Sequence, residues 1–484
     1  MPDSSQPTPA ARGAKGRARP NLTEGPIASN LLWFMLPTLG SSILQSLNGS
    51  INAIWVGRLL GERALAATSN ANAILFLMLA FVFGFGMAAT ILIGQAFGRR
   101  DMDAARRVTG TAFTLFAIVL VAVSTVGYVF TPQILALLAT PPDVVPLAVD
   151  YLRVIFIGMP AALMLGMLMM AIRGTGDSLT PLWFMILSVI LDSGLNPFFI
   201  EGWGPFPKMG IAGSAVTTAL ANWVALLGLI GWTYLKDLPL RLRGAELAYL
   251  KPSRQLTETI VVKGLPMGLQ MIVVSGSAMA MLGLVNVHGV DFTAAFGVAL
   301  QLWTYVQMPA MAVGAAVSTM VAQNIGAGQW ERVAKVTRSG IVIVLAITAI
   351  MVASLAAADR TVLALFLGSG SPAMPLARHI QLLGTWGYLL FGVMMVLFAT
   401  VRANGAVVAP LVILTIGLFV VRLSVASFGQ RWLGTDALWL SLPVATFVNL
   451  VLAIAYYRRG TWRKAHMSVG GRDPNPGSAE PQAA

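Results

Sequence analysis

One acid in this 484-residue sequence sits where acids seldom do. Asp192 lies inside the apolar run FMILSVILDSGLNPFFI. In a predicted helix over 180–200 it falls roughly 15 Å from the start at about 1.5 Å per residue. An ionised side chain at bilayer mid-depth costs about 2.5–3.5 kcal/mol on insertion scales, so such a residue is expected to have a use. Asn196, at i+4, shares its face. Pro197 has no N–H, which leaves the carbonyl of Ser193 without its helical donor. Carboxylate, amide oxygen and free carbonyl within one turn are hard oxygen ligands of the kind that suit Na⁺. A carboxylate taken out of water can carry a proton instead. Both ions stay open, and so does a purely structural acid. The remaining acids near predicted spans, Asp150, Glu201, Asp291 and Asp436, fall at helix ends or in loops.

The elements that hold Asp192 follow from composition. Of the residues 57% are hydrophobic and 11% charged, with a mean hydropathy of +0.77. Soluble domains carry about 25% charged residues. The solvent for most of this chain is therefore expected to be lipid. Spans of roughly 20 apolar residues are predicted at 31–54, 70–96, 109–136, 147–171, 180–200, 211–235, 258–287, 293–322, 338–358, 378–400, 408–428 and 435–457. There are no cysteines, which excludes disulfides and thiolate metal sites, and the three histidines make a histidine metal centre unexpected. No Ser-His-Asp set and no Walker motif appears, so neither an enzyme nor an ATP-driven pump is expected, and no cofactor beyond a coupling ion. RGTGD at 173–177 reads as a helix-breaking turn because it lacks GxxxxGK[ST].

The net charge of +13 could mean nucleic acid; its distribution points to membrane orientation instead, and no nucleic-acid partner is expected. Arg99, Arg100, Arg106 and Arg107 follow the second span, six basic residues lie between Lys236 and Lys263, and Arg332, Lys335 and Arg338 follow the eighth. With both tails these fall on one side. The other carries Arg58, Arg63, Lys208, Arg360, Arg378 and Arg431. Both termini are thus expected in the cytoplasm of a bacterial inner-membrane protein. Arg153 and Arg422 fall within spans, and Arg422 is expected to snorkel to the interface. Residues 1–29 and 459–484 read as disordered cytoplasmic tails.

The chain also repeats itself. GQAFGRRDMDAARRVTGTA (94–112) aligns with AQNIGAGQWERVAKVTRSG (322–340), Pro37 with Pro266, and AIRGTGDSLTPL (171–182) with TVRANGAVVAPL (400–411), all at offsets of 228 or 229. Two six-helix bundles of like orientation follow: an N-lobe over 30–236, a linker over 237–255 and a C-lobe over 256–458. Such a pair suits alternating access around a central cleft. A duplication kept only for assembly is the plainer reading; a channel or a purely structural membrane protein would not need two matched lobes.

With LPTLGSSILQSLNGSINAIWVGRLLG, IGQAFGRRDMDAARR, RGTGDSLTPL, LNPFFIEGWGPFPKMGIAGSAVTTAL, GLPMGLQ and TMVAQNIGAGQWERVAK, the sequence resembles the multidrug and toxic compound extrusion (MATE) transporters from about residue 30 to 457. The resemblance implies an all-α membrane protein of twelve transmembrane helices in a V-shaped pair of pseudo-symmetric lobes. It implies an antiporter that exports amphipathic, often cationic, small molecules in exchange for H⁺ or Na⁺; a monomer is expected. A lipid-linked precursor flippase of the wider superfamily is the alternative, although deep basic residues are few. Two departures are visible. Members similar to this chain carry a first-helix acid where Asn52 stands, and usually read Asn-x3-Asp-Pro where this chain reads Asp192-x3-Asn196-Pro197. Thr218 matches the family's sixth-helix hydroxyl facing the same place. Asp192, Asn196, Asn52 and Thr218 are therefore the expected cation or proton site. Gln45, Asn48, Gln270 and Gln301 are the expected cleft-lining, substrate-binding groups; interhelical glue is the alternative role for Asn52, Asn196 and Thr218, and for Gln45 and Asn48.

Overall fold

The structure, a computed structural model, describes residues 22–137, 140–142, 144–368 and 370–467. Most of both predicted tails, with Arg12, Lys15, Arg17, Arg19 and Arg472, lies outside the described residues. Every regular element described is helical. That is what hydrocarbon demands of a spanning segment, because a helix satisfies its backbone groups within itself.

Among the described residues, twelve helices are long and apolar enough to cross a membrane. They are α1 (Ile27–Leu60), α2 (Glu62–Gly98), α3 (Met102–Val129), α4 (Val145–Gly174), α5 (Leu179–Glu201), α6 (Ile211–Leu235), α7 (Arg254–Asn286), α8 (Val290–Gly326), α9 (Trp330–Ala357), α10 (Met374–Ala403), α11 (Val408–Leu433) and α12 (Asp436–Arg459). Short helices Thr131–Leu137 and Asp359–Leu367 follow α3 and α9, at matching places in the two halves. Most helices outrun their predicted spans. Asp101 caps α3 with a carboxylate that accepts from the Ala104 N–H at 2.9 Å, and the helix then runs through the charged DAARR turn before entering the apolar stretch.

The packing obeys the repeat. In the first half α2 and α3 pack on α4, α4 on α6, and α1 on α5; in the second α8 and α9 pack on α10, α10 on α12, and α7 on α11. Between the halves, α2 packs against α7 and α8, and α1 against α8. The closest approach lies at the end of the bundle that carries most of the lysines and arginines, here the basic end. A Cβ on Gly98 would overlap the Gln323 carbonyl, and one on Gly326 would overlap the Gln95 carbonyl. The two amides then cross the seam: Gln95 Nε2 donates to the Ala403 carbonyl at 2.8 Å, and Gln323 Nε2 to the Gly174 carbonyl at 3.0 Å. Gly98 and Gly326, and Gln95 and Gln323, are partners in the repeat, so the seam has approximate two-fold symmetry. Farther in, Gly84 meets Gly264 and Gly268 of α7 backbone to backbone, as small-residue interfaces in membranes permit.

The flanking segments are tied down farther than their composition implied. Leu22 is buried, and its carbonyl accepts from Asn324 Nδ2 at 3.1 Å. Arg332 Nη2 donates to the carbonyls of Glu24 and Gly25. Past α12, Trp462 and Met467 are buried, and Asn404 Nδ2 donates to the carbonyls of Trp462 and Arg463. The tails expected at 1–29 and 459–484 are thus ordered at 22–29 and through Met467, because apolar anchors within them reach the bundle. The linker is likewise fixed: Gly244–Leu250 forms a 3₁₀ helix against α3, with Arg106 paired to Glu246 and the Tyr249 hydroxyl donating to Asp103.

Candidate functional site

Asp192 is 2% exposed in the middle of α5. Asn48 of α1 donates its Nδ2 to carboxylate Oδ2 at 2.8 Å, and Thr218 of α6 donates its hydroxyl to Oδ1 at 2.9 Å. One turn farther from the basic end, Asn196 Nδ2 donates to Asn52 Oδ1 at 3.1 Å, and the Ser214 hydroxyl donates to the same oxygen at 2.7 Å. The site is therefore two stacked layers. Each takes one residue from each of α1, α5 and α6, and the layers are related by i, i+4 steps on all three helices: Asn48, Asp192, Thr218, then Asn52, Asn196, Ser214. Helical periodicity alone aligns them once the three helices pack side by side.

The electrostatics are unbalanced. Among the described residues no lysine, arginine or histidine pairs with Asp192; its polar partners are neutral donors. Tyr151 of α4, itself buried, lies within electrostatic reach. Asn196 Oδ1 is buried with no hydrogen-bond partner. A lone acceptor beside Asn52 Oδ1 and one turn from a carboxylate fits a small hard cation, whose shell is built from such oxygens. The same carboxylate, with only neutral donors around it, fits a proton equally well.

The structure brings Asp192, Asn196, Asn52 and Thr218 together. Asn196 joins one turn away from the carboxylate, through its hydrogen bond to Asn52. Asn48, read from sequence as a cleft-lining group, instead contacts the acid directly. Gln45 and Gln301 are exposed on α1 and α8. Gln270 is buried, with both amide atoms engaged: Oε1 accepts from Arg402 Nη1 at 3.1 Å and Nε2 donates to the Val407 carbonyl at 3.4 Å. Each of its amide atoms is thus committed once to the protein. Arg402, two residues beyond the predicted span 378–400, lies in the last turn of α10 and is buried. Arg422 does not snorkel: it is 4% exposed, and Nη1 donates to Ser277 Oγ at 3.1 Å. Helix packing around α11 seals it from the interface. Ser214 was missed; its i−4 spacing from Thr218 was the available signal.

Comparison with known proteins agrees with this architecture. The MatE family model matches residues 37–198 and 266–428, one match per half. A probable multidrug resistance protein of Bacillus subtilis, YoeA, is 34% identical over 437 residues, covering 90% of this chain and 94% of that one. An FAD transporter of Shewanella oneidensis is 27% identical, covering 91% of this chain and 95% of that protein. Among solved structures, the outward-facing conformation of a multidrug resistance MATE family transporter superposes with a TM-score of 0.83 at 20% identity, covering 93% of this chain and all of that one. The bent form of the Vibrio cholerae transporter VcmN gives 0.83 at 18%, covering 91% and 98%. Two matched halves, twelve spans and near full-length relatives together make this chain a multi-pass membrane protein belonging to the MatE family, the multidrug and toxic compound extrusion transporters.

Proposed function

We propose that the protein is a secondary active efflux antiporter that exports amphipathic compounds, cationic ones among them, in exchange for H⁺ or Na⁺ by alternating access. The observation that supports this reading is Asp192: a carboxylate buried at mid-span, held by the neutral donors Asn48 and Thr218 and given no fixed cation. A buried charge without a resident counter-ion favours a travelling one, since an ion or proton that binds it removes the desolvation penalty. Occupancy can drive transport only if the two access states bind the ion with different affinity. The neutral-donor shell supplies such a difference if α1 shifts against α5, because Asn48 would then leave the carboxylate.

On this reading the protein works as a monomer in the bacterial inner membrane, with the basic end and both termini in the cytoplasm. It needs no cofactor beyond the coupling ion and has no nucleic-acid partner. The experiment is dye efflux from energised membrane vesicles under a proton gradient alone, then a sodium gradient alone. Asp192→Asn should abolish the gradient-dependent component while expression and membrane insertion persist. Wild-type rates in that variant would remove Asp192 from the coupling role.

A further inference from the structure

The two halves carry opposite charges at equivalent places. The family match begins at 37 and 266, an offset of 229, and ends at 198 and 428, an offset of 230. The second half has therefore gained one residue along the way. The structure locates a gain of that size: α11 contains a π-helical segment at Ile416–Val421, and a π-bulge accommodates one extra residue in an α-helix. Beyond it, Arg422 occupies the place that Asp192 holds in α5. Across from it, Ser277 of α7 is the repeat partner of Asn48 of α1 at the offset of 229. The hydrogen bonds correspond: Asn48 to Asp192 in the N-lobe, Arg422 to Ser277 in the C-lobe.

The surroundings differ in a telling way. Of the second polar layer of the N-lobe only the serine keeps a counterpart: Ser441 Oγ of α12 lies 3.9 Å from Met281 Sδ, where Ser214 Oγ of α6 lies 2.7 Å from Asn52 Oδ1. Met281 stands in the place of Asn52, and Ala426 in that of Asn196; both are fully buried in one apolar cluster. Arg422 thus sits above a largely apolar floor, whose Ser441 hydroxyl is given to the Leu438 carbonyl at 2.6 Å. Its Nε is buried with no hydrogen-bond partner, and among the described residues no carboxylate pairs with it. Ser277 in turn spends its own proton on the Leu418 carbonyl at 3.2 Å. A guanidinium has five N–H donors in a planar fork shaped for two oxygens of a carboxylate or phosphate. A buried, unpaired one in a membrane span asks for an anion.

We infer that the C-lobe holds an oxyanion-recognition site centred on Arg422 and supported by Ser277, and that it takes a carboxylate or phosphate group of the transported compound. The cargo range then includes zwitterionic and anionic amphiphiles. The inference rests on the transport reading above for its cargo, but the site itself can be tested without transport. The probe is a rhodamine free acid, which carries a carboxylate beside its cationic ring system, and its methyl ester, which lacks only that charge. Binding of each to purified full-length protein is measured by fluorescence polarisation in nanodiscs of phosphatidylcholine, then with phosphatidylglycerol added. Wild type should prefer the acid. Arg422→Gln should lower the acid-over-ester preference about tenfold or more, as expected for one charge-assisted pair. Arg422→Lys, which keeps the charge and loses the fork, should lower it by a smaller factor, and it serves if the Gln variant fails to insert. An unchanged preference in whichever variant inserts would overturn the proposal. So would a preference that appears or vanishes with phosphatidylglycerol, which would assign the site to a lipid phosphate. Asp192→Asn separates the two readings: it should stop coupled efflux of both dyes and leave the binding preference intact.

Discussion

The basic-end seam gives the most direct handle on the alternating access proposed above. Two side-chain hydrogen bonds cross it, Gln95 to Ala403 and Gln323 to Gly174, at 2.8 and 3.0 Å. Both amides are 3% exposed. If the basic end must part for the protein to face the other way, both bonds break. Each stabilises the closed seam by about 1 kcal/mol net. Replacing one glutamine by methionine, close in length and unable to donate, should shift the closed–open ratio about fivefold, and replacing both about thirtyfold. The approximate two-fold symmetry adds a sharper expectation: Gln95→Met and Gln323→Met should have nearly equal effects. The chain has no cysteines, so a reporter needs no background removal. Thr319 is 3% exposed, and its carbonyl lies 3.8 Å from where a Cβ on Gly94 would stand. A single Thr319→Cys should label slowly with an impermeant maleimide applied at the basic end, faster in each glutamine variant, and fastest in the pair. Unchanged labelling in the double variant would refute the seam as the closing contact. An effect carried wholly by one glutamine would refute the symmetry.

Three further outcomes follow from the same geometry. Thr218→Val and Asn48→Ala each remove one of the two donors to Asp192, and each should lower coupled efflux in vesicles by about tenfold or more, because hydrogen bonds to a charged group contribute about 1.5–3 kcal/mol. Gly326→Ala forces a methyl into the Gln95 carbonyl and should destabilise by about 1–3 kcal/mol, seen as a lower Tm in detergent; Gly283→Ala, with nothing near its Cβ, should not. At the opposite end, the Arg378 guanidinium beside Asp359 holds that carboxyl below the usual carboxylate range. A depressed folded value means the pair stabilises above the unfolded carboxylate pKa and fades as pH falls through the lowered one. Arg378→Gln should therefore move the Asp359 titration up, toward its ordinary value, when followed by carbon NMR of labelled aspartate.

The parts legible in the sequence were those that lipid enforces. Twelve apolar stretches had to be helices, and the matching offsets of Pro37 with Pro266 and of 171–182 with 400–411 had to be two like halves. Helix ends were less legible, because turns such as DAARR at 103–107 leave the hydrocarbon and stop looking apolar while the helix continues. Asp192 was legible because a mid-span acid is costly. Its shell was not: Asn48 and Ser214 are ordinary polar residues until three helices set their i, i+4 pairs at one height. Arg422 was misplaced for a related reason. Snorkelling is a property of a side chain with lipid beside it, and whether lipid or Ser277 stands there is decided by packing. The inner edges of the tails, 22–29 and 459–467, misled through composition, since anchors such as Leu22 and Trp462 outweigh the polar residues around them.

Leu22–Gly25 precedes the first half yet is gripped by Asn324 and Arg332 of the second. Its repeat counterpart, Lys251–Arg254, precedes the second half, and the Ser253 N–H reaches back 3.5 Å to Thr111 of the first. Each half is thus leashed to its neighbour by the strand of chain that introduces it. Such crossed leashes slacken little when the far ends of the bundles swing apart, but both must be shed before the near ends can. On the transport reading proposed above, closure at the basic end is therefore reinforced by chain that lies outside the twelve spans.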